Sequence, residues 1–294
     1  MSINHLKWIV ACGITLCLIS FSASQTGTGP LILQEMSWVD VQDYLETDDM
    51  VIIPLGSTEQ HGPHLPLGTD YYEALEMSKM ISERTGIVVA PVLLSGYSVY
   101  HSGFPGTLSL KPETMEQVLF ETVQLLMKYG FRRFMFFNYH GGNNIVQDRI
   151  IHRVNHTTEA TAIAIGHGSP FQKSTEEEFF DWHAGKSETS VMLYLKPQMV
   201  RMDRAEKPDV RFTPRMIELR RQAEENPELY HVLDQLLFVP SETKKGGASH
   251  EISSNGIWSL SDPKTATEEI GRETVTPMIE AAVRFIEAWK KAEE

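Results

Sequence analysis

The sequence predicts an α/β protein with a mostly parallel central sheet and helices on both of its faces. Three observations carry that expectation. Apolar runs of strand character alternate with helical patterns over residues 50–165, as strand–helix–strand units require. Met50–Leu55 (MVIIPL) is apolar throughout, which suits a strand buried on both sides. At 294 residues, with 41% hydrophobic and 22% charged residues, the chain has the makeup of a soluble globular protein that can bury a large core.

The first 24 residues stand apart from this pattern. Lys7 gives a weakly basic start, Trp8 to Phe21 form an apolar run, and Ser22-Ala23-Ser24 supplies small residues. That is the layout of a secretory signal peptide cut near Ser24. The run falls short of the ~20 residues of a membrane span, and Gly13 and Thr15 interrupt it. An uncleaved anchor is the competing reading. Cleavage leaves residues 25–294 as a single domain with no stable membrane span. It also removes both cysteines, Cys12 and Cys17, so the mature chain carries no thiol ligand and no disulfide. Losing Lys7 takes the net charge from −13 to −14, and such an acidic chain excludes general nucleic-acid binding.

The elements then follow in order. Met50 to Leu55 reads as a buried strand, Asp70 to Arg84 as an amphipathic helix and Ile87 to Leu94 as a second strand. Pro112 to Lys128 reads as a helix, with Pro112 and Glu113 suited to its first turn. Phe131 to Asn138 is the third strand, a helix runs to about His156, and Ala160 to Ile165 is the fourth strand. After Leu195 the pattern turns charged and broken. Arg201 to Glu228 has only short helical potential, and Ser241 to Ser249 is a Lys/Gly/Ser loop. Thr265 to Glu294 closes the chain as a helix with apolar positions Met278, Ile279, Ala282, Phe285, Ile286 and Trp289. No repeat and no clean linker divides the chain.

The chemistry concentrates where strands give way to helices, the edge at which open α/β sheets bind ligands. Ser57–Asp70 (STEQHGPHLPLGTD) places Glu59, His61 and Asp70 within twelve residues. Glu59 and His61, one residue apart, share a face of an extended segment. Asp70 stands at the mouth of the next helix, where its carboxylate can bridge two cations. His140 follows the third strand and precedes Gly141-Gly142-Asn143. His183-Ala-Gly-Lys-Ser-Glu188 adds an imidazole suited to proton transfer and an acid that can complete a metal shell or act as a base. Taken singly, each has a plainer reading: Asp70 as a helix cap, His183 as a satisfied loop histidine, Glu188 as a solvated helix-start acid. Together with His64 and His101 they make a thiol-free imidazole and carboxylate set, which suits Zn, Mn or Fe(II).

These segments resemble the creatininase (creatinine amidohydrolase) family. The resemblance runs through Pro54–Asp70 (PLGSTEQHGPHLPLGTD), Tyr97–Leu110 (YSVYHSGFPGTLSL), Asn138–Asn143 (NYHGGN) and His183–Leu193 (HAGKSETSVML), with a weaker match at Gly256–Gly271. It implies a three-layer α/β/α sandwich that hydrolyses cyclic amides or formamides at a two-metal centre, in a family whose members include homo-oligomers, hexamers among them. By motif position, Glu59, Asp70 and His140 would hold one ion, and Asp70 would bridge to a second bound also by His61. In creatininase proper a Glu two residues after the strand-end His binds this second ion. Here that position is Gly142, as in the HGGN-type branch, and Glu188 is the candidate replacement. Phe179-Phe180-Asp181-Trp182 departs from the residues that hold creatinine, so creatinine itself is not the expected substrate. Lys186 is unusual at its position and is expected to face solvent or a substrate anion.

The expectation is therefore an exported hydrolase acting through two divalent ions on a small cyclic amide, lactam or formamide, with His183 as proton donor to the leaving nitrogen. An exported metal-containing binding protein or sensor without turnover is the alternative.

Overall fold

The computed structural model describes residues 29–166 and 181–292. The signal-peptide segment and Phe179–Phe180 lie outside them. Four strands form one parallel sheet: β1 (Met50–Leu55), β2 (Val88–Val89), β3 (Arg133–Asn138) and β4 (Thr161–Ile165), in the order β2-β1-β3-β4. β1 is central, paired with β3 along its whole length from Met50↔Arg133 to Leu55↔Asn138. It tolerates Pro54 because of register. Ile52 accepts from Ala90 on the β2 side. Pro54, two residues on, points its missing N–H to that same side, past the last β2 pairing at Ile52↔Val89.

Among the described residues, the helices of eight residues or more are α1 (Trp38–Leu45), α2 (Thr69–Thr85), α3 (Pro112–Tyr129), α4 (Asn144–Thr157), α5 (Lys186–Leu195), α6 (Pro214–Glu225) and α7 (Glu268–Ala292). Strand residues alternate between the sheet's two faces, as the period of two requires. Val51, Ile53, Leu55, Phe134 and Phe136 pack with Met115, Leu119 and Val123 of α3 and Val146, Ile150 and Val154 of α4. Met50, Ile52, Met135 and Phe137 pack against Ala74, Met77 and Ile81 of α2, Val191 of α5 and Val275, Ile279 and Ile286 of α7. Each such side chain removed from water is worth about 1.5–3 kcal/mol. The result is an α/β/α arrangement with helices on both faces of the sheet.

Four features differ from the sequence expectation. The strand over Ile87–Leu94 shrinks to Val88–Val89, because the next residue of β1 that would donate on this side is Pro54, which has no N–H. The final helix starts at Glu268, behind a single turn at Pro263–Thr265 that Asp262 caps. Its Phe285 stays 42% exposed while Ile279, Ala282 and Ile286 are buried. α1 adds a helix the hydrophobic pattern did not mark, begun by a capping box between Ser37 and Asp40.

The polar stretch after Leu195 forms a small annex. Met216 of α6, Leu233, Leu236, Leu237 and Ile252 enclose Trp258. A two-stranded antiparallel ribbon, β5 (Asp181–His183) with β6 (Trp258–Ser259), ties the annex to the main body and carries His183. Among the described residues no helix is long and apolar enough to cross a membrane.

Candidate metal centre

The loop after β1, the start of α2, the end of β3 and the start of α5 converge on one buried pit. Glu59, His61, Asp70, His140 and His183 are each at most 5% exposed. Asp70, in the first turn of α2, divides its carboxylate between two histidines. Oδ1 lies 3.2 Å from His61 Nε2 and Oδ2 lies 3.0 Å from His140 Nδ1. Ser57 Oγ donates to Oδ2 at 2.6 Å and holds the carboxylate in place. Glu188, in the first turn of α5, brings Oε2 to 3.8 Å from His61 Nε2 and 4.0 Å from His183 Nδ1.

Backbone carbonyls orient the rings. His61 Nδ1 donates to Glu59 O at 3.1 Å, which turns Nε2 toward Asp70 and Glu188. His140 Nε2 donates to Tyr97 O at 3.0 Å and leaves Nδ1 facing Asp70. His183 Nε2 donates to Gln60 O at 2.6 Å and presents Nδ1 to Glu59 Oε1, 3.6 Å away. Fixing one ring nitrogen so that the other faces a shared point is how proteins prepare histidines for metals.

The donor atoms fall into sets of three whose members lie within 4.8 Å of one another: Glu59, Asp70 and His140, then His61, His183 and Glu188, and also Glu59, His101 and His183. Glu59 Oε2 is buried and 3.2 Å from His140 Nε2, yet accepts no hydrogen bond. A carboxylate oxygen left free among imidazoles fits a cation, and the set of hard and borderline ligands fits a divalent ion.

Without a metal the pit shares protons among its members. Burial alone would discharge His61, but Asp70 beside it, with Glu188 and Glu59 behind, holds its proton up to about 10. Burial also opposes a charge on His140, and Glu59 and Asp70 overcome this to hold its proton up to about 9. Burial lifts Glu188 to about 8, with Asp70 adding to the lift and His61 opposing it. Burial pushes Asp70 up too, but the His61 and His140 charges and hydrogen bonds win and keep it well below the usual range. His183 goes the other way: burial, then the His61 charge, keep it neutral.

The sequence named His101 and His64 without placing them, and it missed Ser249. His101 Nε2 is 3.2 Å from Glu59 Oε1, while the Ser249 hydroxyl and the Gln60 amide both reach its Nδ1. Its place in the Tyr97–Leu110 motif was the available signal. Ser249, far along the chain, had none. His64, from the same Gly-rich loop as His61, stands outside all three sets. It contacts Thr189 Oγ1 at 2.8 Å, and burial lowers it to about 4. Asp181 is structural, accepting from Ser187 N at 2.9 Å and Ser259 Oγ at 2.8 Å. Lys186 is half-buried at the first position of α5.

Two backbone features shape the pit. A Cβ on Gly142 would stand 2.1 Å from Tyr97 O and 2.6 Å from His140 Nε2, so no side chain fits there. Ala184 adopts φ +54°, unusual for a residue with a side chain, and its N–H donates to Glu188 Oε2 at 2.5 Å. Beside the pit, Tyr100, Trp182, Phe238 and Trp258 form an aromatic wall, with Phe238 and Trp258 ring centroids 3.9 Å apart.

Comparison with known proteins bears on this geometry. The creatininase family profile, described as creatinine amidohydrolase, matches residues 34–286. A mycofactocin precursor peptide peptidase of Mycobacterium tuberculosis (strain CDC 1551 / Oshkosh) is 31% identical over 255 residues, 83% of this chain and 86% of that one. A creatinine amidohydrolase of Pseudomonas putida is 30% identical over 202 residues, 61% of this chain and 78% of that one. Among solved structures, a crystal structure of creatinine amidohydrolase (creatininase) has a TM-score of 0.66 at 21% identity, covering 87% of this chain and 96% of that one. A structure titled "Creatininase Mn" scores 0.64 at 22% identity, covering 90% and 98%. At such identities the structural likeness speaks for the fold.

Proposed function

The chain belongs to the creatininase family of metal-dependent amidohydrolases, and on that footing we propose that it is an exported enzyme using two divalent ions to hydrolyse a small cyclic amide, lactam or formamide. The observation that carries the two-ion reading is the split carboxylate of Asp70, one oxygen toward His61 and the other toward His140. Glu59, Asp70 and His140 would hold one ion. Asp70 and Glu188, which both face His61 Nε2, would hold the second together with it, Glu188 in the role that Gly142 cannot fill.

When bound, such ions polarise an amide carbonyl and acidify water at neutral pH. The chain's own residues do the rest. His183, neutral and with Nδ1 turned into the pit, takes a proton from the attacking water as the new C–O bond forms. It returns that proton to the leaving nitrogen as the C–N bond breaks, so the site ends as it began. The aromatic wall gives the pit an apolar side, which favours a planar amide ring over a charged chain.

Export rests on the signal-peptide layout of residues 1–24, and assembly as a homo-oligomer on the family resemblance. The test is a panel of lactams, cyclic ureides and formamides offered to chelator-stripped protein, before and after single divalent ions are restored. The expected result is turnover of at least one class that appears only with metal. Hydrolysis that survives complete metal removal would overturn the reading.

A further inference from the structure

His152 and His156 stand one turn apart on α4, and both are exposed. Residues spaced four apart meet on one helix face, and here the two ring centroids lie 4.0 Å apart at an interplanar angle of 16°. Among the described residues neither ring has a hydrogen bond or an ion pair. The pair has no packing task either, since Val146, Ile150 and Val154 form the buried face of α4.

The surroundings suit a cation. His156 lies in the last turn of α4, where free carbonyls give the helix its negative pole. Asp148, also exposed, stands one turn before His152. The neighbouring cations are turned away toward α3. Arg149 pairs with Glu113 at 3.2 Å and Glu116 at 2.7 Å, and Arg153 pairs with Glu116 at 3.3 Å with its guanidinium over the Phe120 ring. The histidine pair is separate from the buried pit. α4 begins just after His140, and His152 lies roughly 12 Å further along its axis.

We propose that His152 and His156 chelate a divalent ion of borderline character, zinc, nickel(II) or copper(II), at a surface site distinct from the buried centre. An imidazole nitrogen binds zinc at about 2.0–2.1 Å. The χ2 torsion of histidine is broad, so a turn of two exposed rings brings one nitrogen of each to a shared ion. Two imidazoles leave the remaining positions to water, which makes the ion readily exchangeable, and they discriminate against oxygen-seeking magnesium. The ion ties together the last turns of α4, whose Asn155 braces β4 through hydrogen bonds with the Ala162 backbone at 2.8 and 2.7 Å.

The test compares zinc-loaded wild type with His152→Ala and His156→Ala, each checked for folding by circular dichroism. Desalting removes the readily exchanged ions and leaves what the buried centre holds. Zinc is then titrated back by calorimetry in excess magnesium. Wild type should take up one equivalent that both variants lack or bind more than about 10-fold more weakly, since even outer-shell losses cost that much. Whatever the buried centre rebinds is common to all three proteins, so failure of the two-ion reading leaves this comparison intact. Equal uptake by all three overturns the proposal. Loss in only one variant also overturns it, because a lone imidazole is then the ligand. So does a wild-type equivalent that magnesium displaces, because oxygen ligands then make the site.

Discussion

Loading the centre with two divalent ions at pH 7 should release about three protons per chain, because ligating groups must give up their protons. In the metal-free fold His61 keeps its proton up to about 10, His140 up to about 9 and Glu188 up to about 8. All three are protonated at pH 7, and each gives up one on ligation. By linkage, the overall binding constant should rise by roughly three decades between pH 7 and 8, and more slowly as Glu188 and then His140 lose their protons unaided. Titration calorimetry in buffers of differing ionisation enthalpy reads the number as the slope of observed enthalpy against buffer enthalpy. A slope near zero, or affinity that is flat from pH 7 to 8, refutes the protonated centre. The same shifts give a sign for stability. The two histidines bind protons more tightly folded than at their ordinary 6.5, so their stabilisation is complete below that pH and lost as pH passes 9 and 10. Glu188, raised from 4.5, works in the same direction as pH climbs toward 8. Between pH 7 and 9 the metal-free protein should therefore melt at progressively lower temperature, and metal should flatten the trend.

Other changes separate the roles. Glu59→Gln should weaken the first ion by ~100-fold or more, at or beyond the upper end for outer-shell losses, read as metal content after desalting. His183→Asn should keep both ions while turnover falls by about 10²–10⁴-fold. Loss of one ion in that variant would make His183 a ligand instead. Gly142→Glu, which restores the creatininase-type acid, should destabilise the fold by about 1–3 kcal/mol or more through overpacking. An unchanged melting temperature would show that the backbone there yields. Mass spectrometry of exported protein should find a chain beginning near Gln25, and one that retains Met1 would argue against cleavage.

The sheet was legible because its strands are continuous apolar runs, and β1 matches its expected bounds from Met50 to Leu55. The annex was not. Asp181–His183 and Trp258–Ser259 are too short to show a period, and what joins them is pairing between segments far apart in sequence. The positions of Glu59, His61 and Asp70 could be read from one loop. His101 could be seen in the sequence but not placed, since its contact with Glu59 depends on Ser249 and Gln60 closing around its other nitrogen. Glu73, buried on α2 one turn beyond Asp70 with no hydrogen bond to either carboxyl oxygen, was hidden for the opposite reason. It falls in a helix of mixed pattern among Glu76, Lys79 and Glu83, where a further acid reads as surface.

One carbonyl links the departure at Gly142 to the rest of the pit. Tyr97 O accepts from His140 Nε2 at 3.0 Å, and it is also the atom a Cβ at position 142 would strike at 2.1 Å. The bond that turns His140 Nδ1 toward Asp70 thus occupies the space an acid at 142 would need. A second acid must arrive from elsewhere, and α5 brings it. Glu188 reaches the pit because Ala184 takes a left-handed backbone and points its N–H at the carboxylate. Strain at a residue with a side chain persists only where the surroundings over-determine it. Here the constraint is tight on both sides, with His183 held by Gln60 before Ala184 and Asp181 capping Ser187 after it. On the two-ion reading, the acid of the second site comes from the start of α5, and the left-handed turn at Ala184 is the conformational cost of presenting it.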